Sequence, residues 1–339
     1  MTNMPPTPND EMPASRPLLS RRVLAVLSVV LTILAMAWVA RDLNFNDVLS
    51  ALRQLPAWPF VLSFLCICFV TLLRGARLYA LVRHTGAGFR VELETILIGY
   101  FFLTTLPLRT GELIRVIYLS RRGNMPLLTA TAGAVAERTL DLIALAFWAA
   151  IFLSDFAGQQ LADLPFSSRL LGAGAGLGVL VVVLIGYFAQ QRLKDQAQAP
   201  SGLFGKLIHD TLRGFTSLGT TKDFLLSLSL SLGLWFMVIF TYRFALQAIV
   251  PDIEFSAAAV VMISTSFAIA LPSTPGFFGT YHAGFVAGAM LIGIPKQVSF
   301  PAAIVLHLVL ELPFLLIGGL VLYTGGRRAL TRTATDLSQ

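Results

Sequence analysis

Charge is scarce in this sequence. Only 13% of its 339 residues are Asp, Glu, Lys or Arg, while 56% are hydrophobic. A water-soluble domain carries about twice that share of charge, so the composition excludes a soluble fold and fits an all-α polytopic membrane protein. Cysteine is nearly absent. Cys66 and Cys68 lie two apart in one apolar run, about 200° apart on a helix, so they cannot pair with each other and read as small buried apolar residues. The histidines, His84, His209, His282 and His307, are scattered. No HExxH or CxxC spacing suggests a metal, and no Asp-x-Asp pair of the kind used by metal-dependent sugar transferases occurs. The P-loop signature is missing, which excludes that class of ATPase. Gly172, Gly174, Gly176 and Gly178 lack GxGxxG spacing and sit in an apolar run, where small residues serve helix packing. No cofactor, metal or catalytic residue is expected. The net charge of +7 is explained by Lys and Arg gathering on one side of a bilayer, so no nucleic-acid partner is expected.

What is present is a succession of long apolar runs. Six are read as spans: Val23–Ala40, Trp58–Val82, Leu127–Leu153, Leu170–Ala189, Phe224–Ala248 and Pro301–Tyr323. Two others break in the middle. Leu93–Arg122 is interrupted at Leu106-Pro107, and Phe255–Ile294 at Leu271-Pro-Ser-Thr-Pro-Gly276. The first run's arms of roughly 14 residues are too short to cross a hydrocarbon core, which takes about 20; in the second run Gly276–Ile294 could span fully if the arm before it did too, with no change in the end topology. Each broken run is therefore expected to be a re-entrant helical hairpin, a form that survives only when protein or a wet cavity surrounds the interrupted backbone.

The expected organisation is a disordered cytoplasmic tail (1–22), a first membrane repeat (23–153, hairpin 93–122), a second (154–323, hairpin 255–294) and a cytoplasmic tail (324–339). Val23–Ala40 lacks a clear cleavage site and is read as a retained helix. Arg41–Ala57 and Ser154–Ser168 are read as external loops. Gln190–Lys222 is read as internal and basic, with an interfacial helix across Phe204, Leu207, Ile208, Thr211, Leu212 and Phe215. With this trace about 19 Lys and Arg fall inside and about 5 outside, which places both termini in the cytoplasm. Each half reads span, span, broken hairpin, charged span. Glu137 and Asp141 are spaced i, i+4, and His307 and Glu311 repeat that spacing 170 positions later. An inverted repeat is expected, and such repeats with interrupted segments at matching positions point to a midplane transport site.

The candidate site residues lie in these breaks and charged spans. Thr110-Gly111 reads as the cap and start of a helix whose N–H groups face the membrane interior, an anion site, with Arg109 and Arg115 adding charge. Arg109 equally fits snorkelling or pairing with Glu112. Thr274 reads as a cap, Pro275 as the first helical residue, and Gly276 and Gly279 as points of close backbone approach. A plain tight turn is the other reading. Glu137, Arg138 and Asp141 within five residues at bilayer depth demand partners, since each ion costs about 2.5–3.5 kcal/mol there. Arg109 and Arg115 are candidates for the acids, and Glu112 or Glu311 for Arg138. The set reads either as a binding site or as an ion-pair network bracing the hairpin. His307 with Glu311 reads either as a proton relay or as a buried histidine satisfied by a carboxylate. Arg243 is expected to snorkel to headgroups.

Pro107, Arg109, Gly111, Glu112 and Arg115, followed by Glu137-Arg138 and Asp141 and then Pro272-x-x-Pro275-Gly276-x-x-Gly279, resemble the lysylphosphatidylglycerol synthase transmembrane (flippase-like domain) family over roughly Val23 to Tyr323. The resemblance implies an integral membrane protein that moves a polar-headgroup lipid between leaflets, located in the bacterial cytoplasmic (inner) membrane. In relatives a separate cytosolic domain makes the lipid, and that domain is expected to be absent here. Tyr281-His282 stands where the family often has a carboxylate, so the cargo need not be an aminoacylated lipid. The implied partners are a phospholipid or another polar-headgroup lipid and a lipid-synthesis enzyme. The alternative is a membrane-embedded lipid-modifying enzyme, or an accessory scaffold of a lipid, hopanoid or glycolipid pathway.

Overall fold

A computed structural model of the chain describes residues 21–41, 43–107, 109–160, 168–192, 219–271 and 274–326. The predicted N-terminal tail up to residue 20, the interfacial helix from Phe204 to Phe215, Pro272 of the second break and the C-terminal tail from residue 327 lie outside the described residues.

Every regular element among the described residues is helical: α1 (Arg21–Ala40), α2 (Phe45–Gln54), α3 (Trp58–Val82), α4 (Phe89–Thr105), α5 (Thr110–Arg122), α6 (Leu127–Gln160), α7 (Ser168–Arg192), α8 (Thr221–Gln247), α9 (Phe255–Ala270), α10 (Thr280–Leu291) and α11 (Lys296–Pro313). Four stretches, Trp58–Thr85, Leu127–Ala157, Thr221–Gln247 and Lys296–Thr324, are long and apolar enough to cross a membrane. Val26–Ala40, Gly172–Ile185 and Phe255–Ala270 are shorter apolar stretches. Four of the six expected spans are thus present at full length, and the other two fall on α1 and α7.

Two expectations are corrected by local structure. The supposed loop Arg41–Ala57 contains α2, whose start is fixed by the Asn44 side chain accepting from the Asn46 N–H and whose Val48 is buried. The third span does not stop at Leu153, because α6 continues to Gln160.

Sequence explains several helix ends. Pro59 sits at the first turn of α3, where a missing N–H costs nothing. Thr220 and Asp223 form a reciprocal capping box at the start of α8. We expect Thr220→Ala to lower stability by about 1 kcal/mol through loss of that cap, read as a shift in the detergent unfolding midpoint. Pro313 in α11 removes one backbone donor, and the chain past it continues in wider turns at Phe314–Gly318 and Leu322–Gly326.

The helices α3 and α8 run antiparallel through the centre. Ser63 donates to the Thr241 carbonyl at 2.9 Å near one end, and Arg83 pairs with Asp223 at the other. One apolar core gathers Phe60, Ile239, Met262, Phe285 and Leu306. A second gathers Leu78, Ile96, Leu119, Leu140 and Phe224, with Tyr187 stacked on Phe224 at 3.9 Å. Large apolar side chains also point outward, among them Leu142, Val182, Leu308 and Leu316, as a hydrocarbon surrounding permits. Of the glycine run in α7, Gly172 and Gly176 pack closely on α6 while Gly174 and Gly178 face open space.

Both broken runs fold back on themselves. In the first, Gly111 of α5 lies against the backbone of Gly99 and Leu103 of α4. In the second, Gly284 and Gly288 of α10 lie against Thr265 and Val261 of α9. The feet of the first pair follow the α3 end that holds Arg83. The feet of the second follow the opposite end, after α8. Their tips touch: the Arg109 guanidinium donates to the Ile269 carbonyl and lies 5.6 Å from the centre of the Phe277 ring.

Candidate functional site

The charged residues expected on α6 are brought together by an arginine from α3. Arg77 is 1% exposed and reaches both acids, with Nη1 donating to Asp141 at 2.5 Å and Nη2 to Glu137 at 3.2 Å. The i, i+4 spacing of the carboxylates puts both on the face of α6 that meets α3. Arg115 from α5 donates to the second oxygen of Glu137 at 2.5 Å. Ser231 and Trp235 of α8 complete the cluster, Ser231 accepting from Arg77 at 3.2 Å and Trp235 donating to Asp141 at 3.0 Å. Arg138 turns to the other side of α6, where it donates to Glu112 at 2.9 Å and lies 3.5 Å from Asp141. Arg74, one turn before Arg77, donates to the Tyr100 hydroxyl.

Of the pairings expected from sequence, Arg115 with the acids and Glu112 with Arg138 form. Arg109 with the acids does not. Arg109 adopts a left-handed conformation (φ 55°) and is itself the residue that precedes α5, so Thr110 opens the helix instead of capping it. The Thr110 hydroxyl instead bonds the Pro107 carbonyl at 3.1 Å. Arg109 spends its guanidinium on the second broken run and on no carboxylate among the described residues. Glu311 does not reach Arg138 either, because the Thr104 hydroxyl donates to it at the end of α4. Arg243 donates from Nε to the Ile253 carbonyl at 3.1 Å, and its head lies over Phe255.

The second break differs from its expected form. Pro275 opens a short turn that lasts only to Phe277 and is broken at Gly276, and Thr274 precedes it without capping it, its hydroxyl donating instead to the Phe278 carbonyl at 3.2 Å. The helix α10 begins later, after Gly279 at φ 84°. Gly276 (φ 63°) sits against the Thr104 carbonyl, and Gly279 against the Thr32 carbonyl of α1. Only glycine holds these conformations without strain. Thr32 and Thr274 also bond through their hydroxyls at 3.3 Å.

His307 and Glu311 share a helix face, yet Nε2 of His307 is 3.8 Å from the nearer carboxylate oxygen, too far for a hydrogen bond. The His307 ring instead stacks on Tyr281 at 4.3 Å and lies 5.0 Å from His282. The geometry does not support a direct His307–Glu311 relay.

The sequence reading missed Arg77 as the hub. The signal was present, since Arg77 is an ion well inside an apolar run, the criterion that singled out Glu137. Its place five residues before the end of α3 fits snorkelling equally well in sequence. Ser231, Trp235 and Thr104 carried no signal that sequence spacing alone could resolve.

Residues 25–318 match the family described as Lysylphosphatidylglycerol synthase TM region. The chain is also similar to the protein named glycosyltransferase AglD of Haloferax volcanii, at 25% identity over 340 residues. The match takes in 87% of this chain and 53% of that protein, so the chain spans about half the length of the curated relative it matches.

Proposed function

Because the chain belongs to the lysylphosphatidylglycerol synthase TM region family, we propose that it is a lipid translocator that moves a polar-headgroup lipid between leaflets. The observation that carries the reading is the pair of broken helical runs whose tips touch beside a buried arginine–carboxylate cluster. Feet at opposite ends of α3 support two re-entrant hairpins entering from opposite sides and an inverted repeat, and the Lys and Arg bias supports both termini in the cytoplasm. Arg109, Thr110, Gly111 and Arg115 face the headgroup phosphate. Glu112, Glu137, Arg138 and Asp141 hold the arginines in place and balance their charge. Thr274 and Gly276 shape the second tip, Gly276 meets the first run at the Thr104 carbonyl, and Glu311 ties α11 to the same residue through the Thr104 hydroxyl. His307 walls the site through its stack on Tyr281. The acyl chains stay in the bilayer, so only the polar head crosses the protein.

The test is lipid scrambling in proteoliposomes with fluorescently labelled phosphatidylglycerol. Arg109→Ala is expected to slow exchange at least about tenfold, the equivalent of about 1.4 kcal/mol, and Glu137→Gln to abolish it. Wild-type rates in both variants would sink the assignment.

A second reading rests on the name of the AglD relative. A chain similar to a glycosyltransferase fits a glycolipid pathway, in which this domain supplies or positions a lipid-linked sugar for a partner enzyme or modifies the lipid itself. Lipid mass spectrometry separates the readings: an enzyme's loss removes a chemical species, whereas a translocator's loss changes only its leaflet.

A further inference from the structure

Glu92 stands in the first turn of α4, fully buried, and neither of its carboxylate oxygens has a hydrogen-bond partner. An ionised carboxylate in that setting is costly. The charged groups facing it are Arg115 from α5 and Glu137 from α6. From α3, Arg77 holds the other oxygen of Glu137. On α4 itself Arg90 and Glu94 pair with each other at 2.9 Å, and Tyr118 of α5 bonds to Glu94 rather than to Glu92. Glu92 is therefore an acid beside the cluster that the cluster does not use.

The charge balance gives that acid a role. Arg74, Arg77, Arg109, Arg115 and Arg138 are linked, directly or through one another's partners, to three acids: Glu112, Glu137 and Asp141. With Glu92 neutral, two positive charges are in excess, and the cluster can accept an anionic group. With Glu92 ionised, Arg115 is shared between two carboxylates and the excess is halved. We propose that Glu92 is a proton site whose protonation and the binding of an anionic phosphate group at the neighbouring arginines favour each other. The inference rests on the lipid-site reading above and adds to it a proton as the coupled ligand. Reciprocity is required thermodynamically: if phosphate strengthens proton binding, the proton strengthens phosphate binding by the same factor.

Purified protein in detergent is titrated with phosphatidylglycerol at increasing pH, with phosphatidylcholine as the zwitterionic control. Wild-type affinity for phosphatidylglycerol is expected to fall by up to about tenfold per pH unit once Glu92 ionises. Glu92→Gln, which mimics the protonated form, is expected to bind with unchanged affinity across the range. A wild type without pH dependence, or a Glu92→Gln variant that keeps the wild-type slope, overturns the proposal. Competition by inorganic phosphate assigns recognition to the phosphate group itself, and its absence assigns it to the intact lipid. If the variant fails to fold, infrared spectra of the wild type give the answer. A protonated-carboxyl band should fade as pH rises and return when phosphatidylglycerol is added, and a band indifferent to the lipid overturns the proposal. Proton-linked binding without scrambling would reject the translocator reading alone, whereas scrambling with pH-independent binding would reject only the Glu92 inference.

Discussion

Arg77→Ala is expected to destabilise the protein by about 3–5 kcal/mol, the cost of leaving buried charge uncompensated. Arg77 contacts two carboxylates at once and is 1% exposed. Removing it leaves Asp141 with only the Trp235 donor at short range and the more distant Arg138, and leaves Glu137 with only Arg115. Unfolding in mixed micelles measures the loss. The same substitution at Arg138, which holds Glu112 at 2.9 Å but approaches Asp141 only to 3.5 Å, is expected to cost less than Arg77→Ala. Adding Asp141→Asn to Arg77→Ala should recover part of the loss, because the stranded charge is then gone. Strictly additive losses in that pair would show that the two side chains do not act as one unit.

Two helical i, i+4 pairs in this chain show how far spacing alone reaches. Glu137 and Asp141 were expected to share a face and to need cationic partners, and both hold: Arg77 bridges them and Arg115 closes the far oxygen of Glu137. His307 and Glu311 have the same spacing in α11, yet they do not bond each other. Thr104 takes the carboxylate and Tyr281 takes the imidazole face. Spacing fixes which side chains share a face of one helix. Which neighbour then claims them depends on the other helices packed there.

The long apolar runs and their breaks were legible because hydrocarbon imposes length and apolarity on what crosses it. The helix α2 was not, because a ten-residue polar helix has no such requirement. Its signals are local, namely Asn44 as a cap and Val48 as a buried contact. Arg109 was assigned to the acids on charge alone, whereas its left-handed backbone turns the side chain toward the Ile269 carbonyl. Glu92 went unremarked for a related reason: an acid in the sequence Phe89-Arg-Val-Glu-Leu-Glu94 looks like a solvated helix start until burial is known.

Gly111→Ala is expected to force the arms of the first broken run apart. A Cβ at Gly111 would lie 2.3 Å from the Leu103 nitrogen and 2.5 Å from the Gly99 carbonyl oxygen. Both are backbone atoms inside α4, which cannot rotate away as a side chain can. Overpacking of this kind costs about 1–3 kcal/mol. Here the displacement also carries consequences beyond α5, because Glu112 and Arg115 on that helix pair with Arg138 and Glu137 on α6. A shift of α5 loosens both pairs, so scrambling should fail even where enough protein folds to be reconstituted. Gly174→Ala in α7 is the control: a Cβ there meets nothing within 4 Å, and alanine in a helix interior is favoured over glycine by roughly 0.5–1 kcal/mol. It should leave scrambling intact and raise the unfolding midpoint slightly. A Gly111→Ala protein as stable and active as wild type would show that α4 and α5 do not approach at backbone contact. The placement of Arg115 against Glu137 and of Glu112 against Arg138 would then have to come from some other constraint.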